Sequence, residues 1–101
     1  MGPAHSLSIA ATRVRREGLF AEAWFLETYH SERTETGVKG KYNAMEMLEG
    51  FDCIHRQIQS RRIVFYLDSL YVGGFDNPSH EWQGILPQSA AELKLRYACV
   101  R

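Results

Sequence analysis

Apolar and polar residues alternate with a readable period in several stretches of the chain. Leu7, Ile9 and Ala11 alternate with Ser8, Ala10 and Thr12, which predicts a strand over Leu7 to Val14. Arg13, Arg15, Arg16 and Glu17 then lead into Gly18, a turn position. From Leu19 to His30 two periods coexist. Leu19, Ala23, Leu26 and His30 would share one helical face, whereas Trp24, Phe25, Thr28 and Tyr29 are strand formers, so both readings stay open. Ser31 to Lys41 is polar and contains Gly37 and Gly40, the pattern of a hairpin turn and a weak third strand.

The segment from Asn43 to about Ser60 carries the strongest helical pattern. Apolar positions recur at Ala44, Met47, Leu48, Phe51, Ile54 and Ile58, with His55 beside the stripe. Asn43 and Glu46 have the spacing of a capping box, and Arg61 and Arg62 place positive charge where a helix dipole favours it. Gly50 weakens such a helix by roughly 1 kcal/mol relative to alanine without breaking the pattern. Ile63 to Leu67 is a near-continuous apolar run directly after the helix. It predicts a buried, parallel strand ending at Asp68. Tyr71-Val72-Gly73-Gly74 and Asp76-Asn77-Pro78 predict a short helical turn and then loop. At the end, Leu93, Leu95, Tyr97 and Cys99 alternate as in a strand, while Ser89 and Glu92 have capping spacing, leaving strand and helix both open.

With 101 residues the chain has the length of one domain, residues 1–101, and 45% apolar content supplies one core. Twelve basic and 12 acidic residues cancel, so no global field draws the chain to polyanions. A local basic rim of Arg13, Arg15, Arg16, Lys39, Lys41, Arg61 and Arg62 is the candidate phosphate contact; the other reading is a solvated surface balanced by acids. Cys53 and Cys99 sit in apolar stretches and are expected to be buried thiols of a reducing compartment. Met1 to Ser6 lacks the pattern of a signal peptide, no apolar run approaches the ~20 residues of a membrane span, and a cytoplasmic location is expected. The four histidines show no metal-ligand spacing, and Trp82 is expected as a core or interface anchor.

Two motifs bear a family resemblance. Asn43-Ala44-Met45-Glu46-Met47-Leu48 resembles the first-helix motif of the ribonuclease H-like family, and Leu67-Asp68-Ser69-Leu70-Tyr71-Val72 resembles the motif ending its fourth strand. Glu46 and Asp68 lie 22 residues apart, room for a helix, a tight turn and a strand. The resemblance covers about Leu7 to Val72. It implies an α/β fold with a mixed sheet, the first three strands antiparallel and the fourth parallel, a main helix at about 43–60 and a shortened C-terminal part.

It also implies a phosphodiesterase acting on RNA–DNA hybrids, with Mg2+ or Mn2+ held by carboxylates. Glu46 and Asp68 match two of the family's catalytic, metal-binding acids. The first strand has no acid, with Thr12 or Ala11 in its place, and no aspartate follows Asp76. Two functions follow as expectations. The first is a degenerate ribonuclease H-like module that binds nucleic acid or a protein with weak or no catalysis. The second is an active nuclease whose site is completed by Glu17, Glu22 or a second subunit. A sheet edge left uncovered by the shortened end would favour a homodimer or a protein partner.

Overall fold

Period two prevails over period 3.6 along nearly the whole chain. A computed structural model describes residues 8–34, 40–76 and 81–100. It contains the strands β1 (Ser8–Glu17), β2 (Phe20–Thr34), β3 (Lys41–Asp52), β4 (Gln57–Leu67), β5 (Leu70–Asp76) and β6 (Gln83–Gly84), and one helix, α1 (Ala90–Cys99). The first five strands pair in sequence order, each antiparallel to the next, and β6 adds a short antiparallel pairing with β4. The sheet curls into a half-barrel. The expected α/β mixed sheet of ribonuclease H type is thereby corrected: among the described strands none is paired in parallel, and 43–60 is a hairpin, not a helix.

Local turn chemistry explains most of this order. Gly18 at φ +62 opens the two-residue turn between β1 and β2, where glycine adopts a positive φ at no steric cost. Asp68 and Ser69 both have positive φ, +49 and +72, the requirement of a type I′ hairpin turn. The motif at 67–72 is thus a hairpin, and the expected helical turn after it is strand β5. Asn43 does not cap a helix. Its amide donates to Asp68 Oδ1 and its carbonyl oxygen accepts from the Asp68 N–H, both at 3.0 Å, tying β3 to the β4–β5 turn. At the β3–β4 turn Asp52 accepts hydrogen bonds from the Ile54 and His55 N–H groups and meets the His55 ring at 2.9 Å.

The core lies between the inner face of the sheet and α1. Ala21, Ala23 and Phe25 of β2 and Met47 and Phe51 of β3 pack against Leu95 and Ala98 of the helix. A second cluster, Tyr42 and Phe65 with Tyr29 and Val72, fills the sheet away from α1. Lys94 is also buried, its Nζ 2.8 Å from Glu49 Oε1 and 3.9 Å from Glu27 Oε2, at 5.1 Å from the Phe25 ring centre. Ser89 caps α1, its hydroxyl oxygen accepting from the Glu92 N–H, so the capping pattern decides that end over the alternation.

The expectation of free thiols is also corrected, because Cys53 and Cys99 form a disulfide. It joins the β3–β4 turn to the end of α1 across a sequence separation of 46. In the chain-entropy account, a loop of that size stabilises the folded state by about 4 kcal/mol.

Two carboxylates, Asp52 beside Cys53 and Glu92 in the first turn of α1, make stability acid-sensitive. Hydrogen bonding to the His55 side chain and backbone holds the Asp52 carboxyl below its ordinary value of 3.8. The Gln88 N–H, with Arg56, holds that of Glu92 below 4.5. Because the folded values are depressed, this stabilisation is complete above the unfolded values and is lost as pH falls through the folded ones. Melting temperature should therefore be insensitive to these groups above about pH 5.5 and fall below about pH 4. In Asp52→Asn/Glu92→Gln the acid-side slope should flatten; an unchanged slope in thermal melts would contradict the assignment.

Candidate functional site

Alternation that buries Ala21, Ala23 and Phe25 under α1 sends Glu22, Trp24 and Leu26 to the opposite face of β2. On β3 the same rule separates the buried Met47, Glu49 and Phe51 from Glu46 and Leu48. Register then builds the outer face row by row. Arg15 lies opposite Glu22, Arg13 opposite Trp24, Trp24 opposite Leu48 and Leu48 opposite Arg62, with Glu46 opposite Val64 and Ala44 opposite Tyr66 in the neighbouring rows. The centre is half-buried and apolar, from Trp24, Leu26, Leu48 and Val64. No helix of the described chain packs on it, since α1 occupies the other side.

Ion pairs order the rim. Glu22 bridges two arginines, Arg15 at 3.2 Å and Arg61 at 2.7 Å, and Arg62 pairs with Asp76 at 2.6 Å. Arg61 can lie flat because Gly50 beneath it has no side chain; a Cβ there would come within 2.5 Å of the guanidinium. It reaches this position because β4 bulges opposite Leu48 and Glu49, leaving Arg61 outside the paired register. At 6.0 Å its guanidinium also stands over the Trp82 ring, which meets Phe20 at 6.0 Å. Trp82 is thus an anchor, partly buried, at one end of this face.

Among the shallow hollows that indent the surface, two border the half-buried residues of this face. One of about 570 Å³ is bordered by Arg13, Arg15, Glu22, Trp24 and Leu48. The other, about 490 Å³, lies where β3 and β4 approach the β4–β5 turn and is lined by Leu26, Asn43, Glu46, Tyr66, Asp68 and Ser69 among others. Tyr66 donates from its hydroxyl to Glu46 Oε1 at 3.0 Å. Burial and that carboxylate push the phenol above its ordinary value, so it stays a donor through neutral pH.

Of the residues singled out from sequence, Glu46 and Asp68 do meet at one hollow, but from a strand and a turn rather than a helix and a strand end. Their carboxylates are engaged by Tyr66 and Asn43. Among the described residues no group of three or more His, Cys, Asp or Glu side chains is placed to hold a metal ion. The basic set does not converge. Arg13 and Arg15 border the first hollow, whereas Arg16 donates to the Cys99 carbonyl at 2.7 Å, towards the helix. Lys41 pairs with Glu32 at 3.7 Å, and Lys39 lies outside the described residues. Sequence reasoning missed Trp24, Leu48 and Tyr66 as surface groups. The signal for Trp24 and Leu48 is the alternation of β2 and β3, which becomes legible once 43–52 is read as a strand. Tyr66 of β4 is placed by its register opposite Ala44.

No curated protein and no solved structure matches the chain significantly. A family model does. The family described as surface-adhesin protein E matches residues 2–100. This match, with the antiparallel sheet, overturns the ribonuclease H resemblance and with it both the degenerate nuclease module and its active alternative. On a match spanning nearly every residue, the chain belongs to the surface-adhesin protein E family.

Proposed function

We propose that this protein is an attachment module displayed outside the cytoplasm, and that its open sheet face is the surface that contacts a partner protein. The family match is the observation that carries the reading. The Cys53–Cys99 bond supports the location, because disulfides persist in oxidising compartments and are rare in the cytosol. The composition of the open face supports the role. Trp24, Tyr66, Arg13 and Arg62 are of the residue types that dominate binding energy at protein interfaces, set around a partly buried apolar centre. Shallow hollows on a broad face suit a protein surface better than a small molecule, which needs a concave pocket that encloses it.

The test is adhesion itself. Fluorescent beads coated with the oxidised protein are washed over monolayers of cultured animal cells, beside beads coated with albumin. Protein-coated beads should be retained in excess. Arg13→Glu, at an exposed position, should leave the fold intact and cut retention about tenfold, the effect of one lost interface anchor. Retention no greater than that of albumin beads would refute attachment, and full retention by Arg13→Glu and Trp24→Ala would place it on another face.

A further inference from the structure

Helix α1 crosses the sheet and adds no strand to it, and its hold on the inner face is narrow. Of its ten residues, three are buried, Lys94, Leu95 and Ala98, while Leu93 is exposed and Tyr97 is partly exposed, its ring meeting Phe25 edge-on at 6.5 Å. A helix of this length does not persist in water without tertiary support. The buried Lys94–Glu49 pair adds little net hold, because each ion gives up its hydration to form it. The contacts from Arg16 to the Cys99 carbonyl and from Arg56 to Glu92 are exposed and therefore weak. The sheet, by contrast, is a run of strands each paired with its neighbour in sequence, and its second cluster around Tyr42 and Phe65 contains no residue of α1. One covalent bond thus joins a weakly held helix to an independently built sheet.

We propose that the Cys53–Cys99 disulfide is a redox latch, whose reduction by a dithiol releases α1 from the inner face while the five-stranded meander stays folded. Both cysteines are half-buried, and their neighbours Ile54 and Val100 are 60% and 78% exposed, so a reductant can reach the bond. One thiolate of the dithiol attacks a sulfur of the bridge. The S–S bond breaks and the other cysteine leaves as a thiolate, which takes up a proton. The second thiol of the reductant then displaces the first cysteine from the mixed disulfide. The protein gains two electrons and two protons, and the reductant departs as a disulfide. Release would uncover Ala21, Ala23, Phe25 and Phe51, an apolar floor, and return Lys94 and Glu49 to water. The face beneath the helix is then a second surface, available only under reducing conditions.

Hydrogen exchange on the full chain tests the latch, comparing oxidised protein, the same protein in dithiothreitol, and Cys53→Ser/Cys99→Ser without reductant. Amides of 90–99 should exchange at least tenfold faster in the reduced protein and in the double variant, while amides of 21–25 and 44–51 keep their protection. Reoxidation should restore the helix signal in the wild type. Unchanged protection of 90–99 on reduction would overturn the proposal, showing that the helix stays docked without the bond. A joint loss of protection in helix and strands would overturn it as well, showing that the bond holds the whole fold.

Discussion

Truncating Phe51 to alanine is expected to cost about 3–5 kcal/mol of unfolding free energy. Phe51 is fully buried and packs edge-on against Phe25, with ring centres 6.0 Å apart, beneath Leu95 and Ala98. Its neighbours are too constrained to collapse into the space. Ala21 and Ala23 are already small, and the backbone on either side is fixed by ladder hydrogen bonds to Phe20–Ala23 and Gln57–Gln59. The loss therefore includes the transfer of the ring and the cavity left behind. Urea denaturation with the disulfide intact would check it, and a loss under 1 kcal/mol would mean that the helix settles onto the gap. Phe51→Leu, which restores most of the volume, should recover the larger part.

Lys94→Ala should be almost as damaging, for an electrostatic reason. Glu49 and Glu27 both face Lys94, and Glu49 is 9% exposed. Removing the ammonium leaves the buried Glu49 carboxylate without its partner, a change that typically costs about 3–5 kcal/mol. The pair itself need not be a net gain, since desolvation offsets much of its attraction. Lys94→Met/Glu49→Leu should consequently be less harmful than Lys94→Ala alone, although Glu27 remains. A double variant as unstable as the sum of the single ones would show that packing of the lysine stem, not charge, governs the site. Denaturation at neutral pH of wild type, single and double variants completes the cycle.

The buried charge also explains why the central hairpin was hard to read. Met45, Met47 and Phe51 point inward at period two, but the residue that completes the series is Glu49. An acid at an inward position breaks the apolar alternation, and what remains of the pattern fits a helix. Its partner Lys94 lies 45 residues away, beyond any local window. Gly50 and the Asp52 turn were signs of the hairpin, since glycine admits Arg61 across the outer face and Asp52 bonds its own turn. The apolar run at 63–67 was legible as a strand, though not its direction, because direction depends on whether a helix or a four-residue turn precedes it. At the candidate surface, sequence brought out Arg13, Arg15, Glu46 and Asp68. It could not show that two strands and a turn would gather the last pair beside Tyr66, or that Arg16 would turn the other way.

Sequence by itself determined what a few neighbouring residues can decide. Alternation made β1 a strand and Gly18 its turn, because these choices depend on side-chain period and on backbone freedom within a few residues. The capping spacing of Ser89 and Glu92, by contrast, left strand and helix both open at the end of the chain. Tertiary structure alone decided the rest. It chose strand over helix for 43–52 by setting that segment between two partners and supplying a lysine to its buried acid. It paired Cys53 with Cys99 by laying α1 across the sheet, and so left one face covered and the other open. The physical reason is range: ladder pairing, ion pairing in a water-poor core and cross-linking join residues far apart in the chain, and their free energies outweigh local propensity.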